Sequence, residues 1–457
     1  RRERQMCIRD SCMSDARKKK ADRAWRSKAA ENAMEAKKAE ETTGEKAKES
    51  TGKKAKKKEI KESDLSGFRD LRAIARLLEP LHQIGTERDK AGNRDLHMDE
   101  YCLLVLMWLY NPVIDSLGGL QQASDLKKVQ KRLGVGRASM GSLSESVAIF
   151  DPEPLAALAD ELSDKLPDRT PEKFDVVDKK ITAIDGSVFR LLTQIASLAW
   201  LPKGGGKASC GYRLHAQFEV FKGTTSRIDV TGSKPEGKAD ERRVLQDTVE
   251  AGRCYLLDRG YEKYVLWNDI NAVGSEYVCR LRDKTPYHVV SEKELTDADR
   301  EANILSDQTV QFGTNNSRTT RPDHTTRLII VKVKPHDSRS SKNGASVPSS
   351  DGYLRIVTNN QEVPAEIIAA LYELRWTVEL YFRIIKQLLG CRHLLSTKPE
   401  GVTIQIYLAI IACIMILSIT GKMPTKRTYE MICFYLLGWA DLEELQAHIE
   451  KLKSKES

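Results

Sequence analysis

Aromatic residues are scarce in this chain, 6% of 457 positions, which leaves too few rings for wide stacking surfaces. Long apolar runs are missing as well. The longest, Ile404 to Ile419, is interrupted by Gln405 and Ser418. No stretch therefore reaches the roughly 18–20 apolar residues of a membrane crossing, and this one reads as a buried helix. The nine cysteines are odd in number, scattered, and never spaced as a CxxC pair. A zinc site is not expected, and cysteines set in apolar segments read as reduced, buried thiols of a cytoplasmic protein. The first residues are polar and charged with no apolar segment behind them, so no signal peptide is expected. Met6 and Met13 are candidate starts.

Net charge is absent from most of the chain. Residues 1–62 hold 21 Lys/Arg against 12 Asp/Glu, whereas the remaining 395 residues hold 53 of each. The whole excess of +9 thus lies in a low-complexity block of Lys, Glu, Ala and Arg. Such a block cannot bury enough apolar surface to offset its ordering entropy, so residues 1–62 are predicted as a basic disordered tail. It reads either as an arm that meets nucleic acid through counterion release or as a solvated tail.

Helical patterning runs over residues 66–165, where Asp99 to Tyr110 (DEYCLLVLMWLY) forms an apolar segment ended by Asn111-Pro112. Two shorter helices, SDLKKVQKRL and SMGSLSESVAIF, flank Gly134 to Ala138. A helix, a glycine-containing turn and a second helix opening with Ser139 resemble a helix-turn-helix. In that reading 66–165 is an α-helical amino-terminal DNA-binding domain, with Arg137, Ser139, Ser142 and Ser144 facing phosphates or bases. An αα-hairpin packing for its own sake fits the same pattern.

Beyond Pro171 the texture turns to alternating strands and helices. Lys179 to Asp185, Leu214 to Phe221 and Thr225 to Thr231 read as strands, 238–250 as a helix, and Cys254 to Asp258 (CYLLD) as a buried strand. A helix over Tyr264 to Val273 and a strand over Glu276 to Leu281 follow. This pattern predicts a mixed sheet covered by helices over 172–281. Residues 282–363 are rich in Ser, Thr, Asp, Asn and Arg and contain the strands RLIIVKV and YLRIVTN, a β-rich insertion. The core resumes over 364–422 with one long helix from Ala365 to Gly390, and 423–457 is a carboxyl-terminal helical segment.

Two aspartates stand where such sheets gather ligands, at the carboxyl ends of strands. Asp185 ends KKITAID and precedes Gly186-Ser187; Asp258 ends CYLLD and precedes Arg259-Gly260-Tyr261. A third carboxylate from a neighbouring helix would complete an oxygen-rich site for hard divalent ions. On the long helix, Tyr372, Arg375, Glu379 and Lys386 fall within an arc of about 60° at 100° per residue. They lie beside an apolar file of Leu371, Leu374, Val378, Ile385 and Leu389. A carboxylate between two cations suits a metal ligand flanked by phosphate clamps; an ordinary Arg375–Glu379 pair suits the spacing too.

The spacing Tyr372-x2-Arg375-x3-Glu379-x6-Lys386, behind Asp185-Gly186-Ser187 and Asp258-Arg259-Gly260-Tyr261, resembles the signature of the insertion-sequence-four (IS-four) family of DDE transposases. The resemblance covers about residues 95–420. It implies an α/β, ribonuclease-H-like mixed sheet flanked by helices, in which Asp185, Asp258 and Glu379 are catalytic and hold two Mg²⁺ or Mn²⁺ ions. The chemistry it implies is two-metal phosphoryl transfer, with water cutting first and the freed 3′-hydroxyl then forming a hairpin that is reopened before strand transfer. Tyr372 and Arg375 would position end phosphates and any flipped base, and Lys386 would clamp the transferred strand. Trp376 would wedge into the hairpin or pack in the core. The implied partners are double-stranded DNA, as terminal inverted repeats and target, and a second copy in a synaptic homodimer, in the bacterial cytoplasm at the nucleoid. A transposase-derived regulator that does not cut, and a standalone metal-dependent nuclease, are the alternatives. His215 reads as a satisfied sheet histidine or a second-sphere partner of a metal, His393 as a phosphate contact or a bystander, and Lys203 to Lys207 as a DNA-facing loop without the P-loop pattern.

Overall fold

The computed structural model describes residues 71–83, 94–190, 211–232, 240–313, 320–333, 352–390 and 395–453, less positions 112 and 397 and with 89 and 92 added. The basic tail over 1–62, the Lys203 to Lys207 loop and His393 lie outside the described residues.

The chain enters as helices: α1 (Leu71–Leu78), α2 (Met98–Tyr110), α3 (Leu117–Ser124), α4 (Lys127–Leu133), α5 (Met140–Ile149) and α6 (Glu153–Asp164). Helix α2 is apolar on every side and correspondingly buried, from Tyr101 through Tyr110. A capping box opens it, with the Glu100 carboxylate accepting the His97 N–H at 3.0 Å. Gly134, at φ 73°, closes α4 in the left-handed region that only glycine enters freely. Ser139 opens α5 by accepting the Ser142 N–H at 3.0 Å, an N-cap. Two helices joined by a glycine-containing turn are present, as both a helix-turn-helix and a plain αα-hairpin require.

Nine strands then build one sheet: β1 (Lys180–Arg190), β2 (Gly211–Glu219), β3 (Thr224–Gly232), β4 (Arg253–Leu257), β5 (Glu276–Arg280), β6 (Tyr287–Glu292), β7 (Ile304–Phe312), β8 (Thr326–Lys332) and β9 (Tyr353–Thr358). Their order is β3-β2-β1-β4-β5-β9-β8-β7-β6. Strands β1, β4 and β5 run parallel, and every other neighbouring pair is antiparallel. The β-rich insertion does not stand apart: β9 pairs with β5 through Val278↔Thr358 and extends the core sheet. Of its strands, β6 and β7 were not legible in the sequence. Val289 and Val290 on β6 are both exposed, so no inward–outward alternation marks it.

Helices α7 (Glu241–Gln246), α8 (Tyr264–Ala272), α9 (Asp297–Glu301), α10 (Ala365–Leu374), α11 (Trp376–Gly390), α12 (Pro399–Thr420), α13 (Lys426–Leu436) and α14 (Leu442–Lys453) complete the chain. Strand β4 shows why the sheet is covered on both faces, because all five of its residues are buried. Cys254 and Leu256 join Ile181, Ala183 and Phe218 in one core, with Val378 and Ile385 of α11. Tyr255 and Leu257 join Ile184, Leu245 and Trp267 in the other. The first core also takes in Leu104 of α2, Val147 of α5 and Leu155 of α6, so the helical segment expected as a domain over 66–165 packs into the core of the sheet. The described cysteines, Cys102, Cys254, Cys279, Cys413 and Cys433, are buried and unbridged.

Three expectations need correction. The helix over Ala365 to Gly390 is two helices, divided at Arg375. There the Arg375 N–H bonds the Tyr372 carbonyl at 3.1 Å, a tightened turn, while its backbone keeps helical dihedrals (φ −53°, ψ −32°). Among the described residues one helix, α12, is long and apolar enough to cross a membrane by length and composition, although 72% of its apolar window is buried within the fold. Gln405, read as an interruption, instead turns inward and accepts the Leu395 N–H at 3.0 Å. The carboxyl-terminal segment is helical as expected, in two pieces, α13 and α14, with Gly438 (φ 75°) between them.

Close packing of α12 yields a testable consequence. A Cβ at Gly401 would stand 2.5 Å from the Ser396 Cβ and 2.8 Å from Val147 Cγ1. Gly401→Ala should overpack this contact and destabilise the fold by about 1–3 kcal/mol, read as a lower urea midpoint. An unchanged midpoint would show that α12 can shift at no cost.

Candidate active site

Asp185 and Asp258 are brought level by strand register. The parallel β1–β4 ladder ends at Ala183↔Leu256, and two residues further along each chain stand the aspartates. Strand β1 does not stop at Asp185 as expected. It continues to Arg190 because β2 still pairs with it, while on the β4 side the ladder has already ended. Each carboxylate is oriented by a glycine amide: Gly186 N–H donates to Asp185 Oδ1 at 2.8 Å, and Gly260 N–H to Asp258 Oδ1 at 2.7 Å. A Cβ at Gly260 would lie 2.8 Å from that same oxygen. The glycines that follow both aspartates thus shape the site locally.

The third acid arrives on α11, which packs on β1 and buries Val378, Tyr381 and Phe382 in the first core; the Tyr381 ring lies 4.9 Å from that of Phe218 on β2. This places Glu379 beside Arg375, whose Nη2 donates to Glu379 Oε1 at 2.6 Å. Burial pushes the Asp185 carboxyl up to about 6; the Gly186 amide and the Arg375 charge oppose this, and the charges of Glu379 and Asp258 add to it. The three carboxylates and the guanidinium therefore share one electrostatic neighbourhood. Tyr372 is half-buried, its hydroxyl proton held more tightly by burial, an effect the nearby Arg375 charge opposes.

The remaining predicted residues are dispersed. Trp376 is 50% exposed, which leaves it out of the core. Lys386 is exposed two turns beyond Glu379. Arg137 pairs with Asp125 at 2.7 Å and Ser139 caps α5, both on the helical segment. His215 is a satisfied sheet residue in part, with Nε2 2.8 Å from the Thr231 hydroxyl and burial pushing its pKa down to about 4.

Sequence reading missed a fourth carboxylate. Glu241, the first residue of α7, lies against Gly186, and a Cβ there would meet its Oε1 at 2.6 Å. Arg213 of β2 donates to the same oxygen at 2.8 Å. Burial raises the Glu241 pKa, Arg213 opposes the rise and Asp258 adds to it. The signal lay in the alternation of β2, where Arg213, His215, Gln217 and Glu219 share the face opposite Leu214, Ala216 and Phe218, but nothing in the sequence says which helix covers it.

Among the described residues, no three His, Cys, Asp or Glu side chains already converge as a metal cage. Glu379 is instead held by Arg375. The donor set nevertheless suits a hard divalent ion: all oxygen, from three elements, with a buried carboxyl whose neighbours' negative charge favours a cation. Without metal, the raised Asp185 pKa has a stability consequence. Its folded carboxyl holds a proton more tightly than the unfolded chain does. The stabilisation is full below the unfolded value and is lost as pH rises through about 6. In chelator, the urea midpoint should fall between pH 5 and 7, by on the order of 1–2 kcal/mol of stability. Asp185→Asn should flatten that window, and an unaltered slope in the variant would place the titration elsewhere.

Register thus sets two aspartates level just past the ends of a parallel ladder, on the sheet against which the glutamate-bearing helix packs. Residues 177–415, more than half of the chain, match the family model described as "Transposase DDE domain", and the chain belongs to that family. It is 28% identical over 226 residues to a Geobacillus stearothermophilus protein described as "Probable transposase for insertion sequence element IS5377", covering 48% of this chain and 52% of that protein. It is 24% identical over 278 residues to the transposase for insertion sequence element IS231C of Bacillus thuringiensis, 54% of this chain and 57% of that one. Against the Escherichia coli transposase for IS421 it is 23% identical over 313 residues, 62% and 82% respectively. The chain thus spans about half the length of the first two. A piggyBac transposase, solved as a synaptic complex with hairpin DNA, aligns over 84% of both chains at 10% identity with a TM-score of 0.36, too slight a likeness to inform the site.

Proposed function

We propose that this chain is the DNA transposase of an insertion sequence, of the IS-four type, which cuts and joins transposon ends. The observation that carries this reading is the register that sets Asp185 and Asp258 level beyond the parallel β1–β4 ladder, with Glu379 on the helix that packs on β1, on a chain of the DDE family. The strand order β3-β2-β1-β4-β5, with three antiparallel strands leading into two parallel ones, supports a ribonuclease-H-like core.

In this reading Asp185, Asp258 and Glu379 hold two Mg²⁺ or Mn²⁺ ions. Ions bound there would supply Lewis-acid activation of an attacking oxygen and stabilise a leaving one. The protein's own groups do the positioning. Arg375 is held by Glu379, so its planar donors are oriented before a phosphate arrives. Lys386 offers a point charge further along α11 for the same strand. Exposed Trp376 stands next to Arg375, where an unpaired base could stack. Double-stranded DNA, as terminal repeats and target, is the substrate, bound by a homodimer in the bacterial cytoplasm at the nucleoid. Arg137, Ser139 and the helical segment contribute to duplex binding.

The test uses the gene with its flanking DNA as a linear substrate, incubated with purified protein and Mg²⁺ or Mn²⁺. Discrete, metal-dependent cuts at two flanking repeats are expected. Binding without cuts would assign the chain to regulation, and scattered nicks would make it a nuclease.

A further inference from the structure

Two ion pairs flank the aspartates, one on each face of the sheet. On the face that α11 covers, Arg375 holds Glu379. On the face that α7 covers, Arg213 holds Glu241 at 2.8 Å. The first pair lies within one helix, whereas the second joins a strand to a helix 28 residues later in sequence.

The second pair is poorly explained as a tether. Both side chains are about 30% exposed, and an ion pair so placed contributes little to stability. Helix α7 has other anchors: Leu245 is buried in the second core, and the Gln217 amide donates to the Thr248 carbonyl at 3.1 Å and to its hydroxyl at 3.0 Å. The pair sits instead where chemistry is expected. Glu241 fills the space left by Gly186, the residue after Asp185, and lies close enough to Asp258 to feel its charge. The neighbouring cation on α7, Arg242, is held two-pronged by Asp240 at 2.9 and 2.8 Å.

We infer that Arg213 binds a DNA phosphate at this site, and that Glu241 occupies its guanidinium until DNA displaces the carboxylate. The inference rests on the DNA-processing reading above. A guanidinium presents planar paired donors that match phosphate oxygens as well as they match a carboxylate, so exchange of one anion for the other keeps its hydrogen bonds. Partial exposure of both partners leaves the pair open to such exchange. DNA would then be gripped from both faces of the sheet, by Arg375 on one and Arg213 on the other.

The test measures binding of a labelled duplex from the DNA flanking the gene, by fluorescence anisotropy in chelator across a salt series. Arg213→Gln should weaken binding several-fold and lower the salt slope by about 0.9, one phosphate contact. Glu241→Gln should do the opposite, tightening binding up to about fivefold by freeing Arg213. Arg213→Lys should keep the slope while losing part of the affinity, which a folding defect at this position would not reproduce. A tether would make the two glutamine variants move in the same direction or not at all, and either result overturns the inference. If wild type itself fails to bind the duplex, the DNA-processing reading falls and takes this one with it.

Discussion

Glu379→Gln should lose at least about a hundredfold in metal-dependent strand cleavage, because charge stabilisation of several kcal/mol depends on the ligand set and each decade of rate is about 1.4 kcal/mol. The amide keeps the shape of the side chain and can still accept from Arg375 through its oxygen, so the helix and the orientation of Arg375 should persist. What it lacks is the negative charge that makes the carboxylate a ligand for a hard cation. DNA binding should be retained or slightly strengthened, since one anion leaves a site that faces phosphates. Wild type and variant run side by side on denaturing gels, with binding measured in parallel, separate the two effects. Cleavage at the wild-type rate in the variant would remove Glu379 from the mechanism.

The same residue shows how far the sequence could be read. Glu379 was identifiable because a helix imposes fixed angular offsets, and Arg375 and Glu379 do meet at 2.6 Å. The two aspartates were identifiable because each follows a short buried run, Ile181–Ile184 and Cys254–Leu257, and the glycines after them have local work to do. Register between the strands was not readable, since it is set by packing between elements far apart in sequence. The division at Arg375 was not readable because it is a single tightened backbone bond, to the Tyr372 carbonyl, which composition does not express.

Glu241 and Arg213 mark the limit more sharply. Each is an ordinary charged residue in a chain that is 30% charged, and their meeting depends on α7 crossing the polar face of β2. Polar residues recur on that face down the strand: Gln217 meets Thr248, and Glu219 meets Arg253 at 3.1 Å. Alternation along β2 was visible. The partner of its polar face was not, because α7 spans only six residues and buries a single leucine, Leu245, too little for an apolar stripe to show.

Asp307→Ala should destabilise the fold by about 3–5 kcal/mol, the cost of leaving a buried charge without its partner. Arg327 of β8 and Asp307 of β7 are 3% and 6% exposed, and the guanidinium grips the carboxylate with two bonds of 2.7 Å. Its third arm donates to the Val363 carbonyl at 2.6 Å, immediately before Pro364 and α10. The pair thus ties the extended sheet to the start of the helices that carry Tyr372, Arg375 and Glu379. Glu161→Ala is the matched control: its pair with Lys165 is 63% and 62% exposed and should be worth less than about 1 kcal/mol. Urea unfolding of the three proteins reads the difference. Replacing both members, Asp307→Leu with Arg327→Met, should recover much of the loss, because an apolar pair carries no desolvation penalty. Equal midpoints for Asp307→Ala and Glu161→Ala would show that water reaches Arg327, and that the insertion is joined to the site by its strand pairing alone.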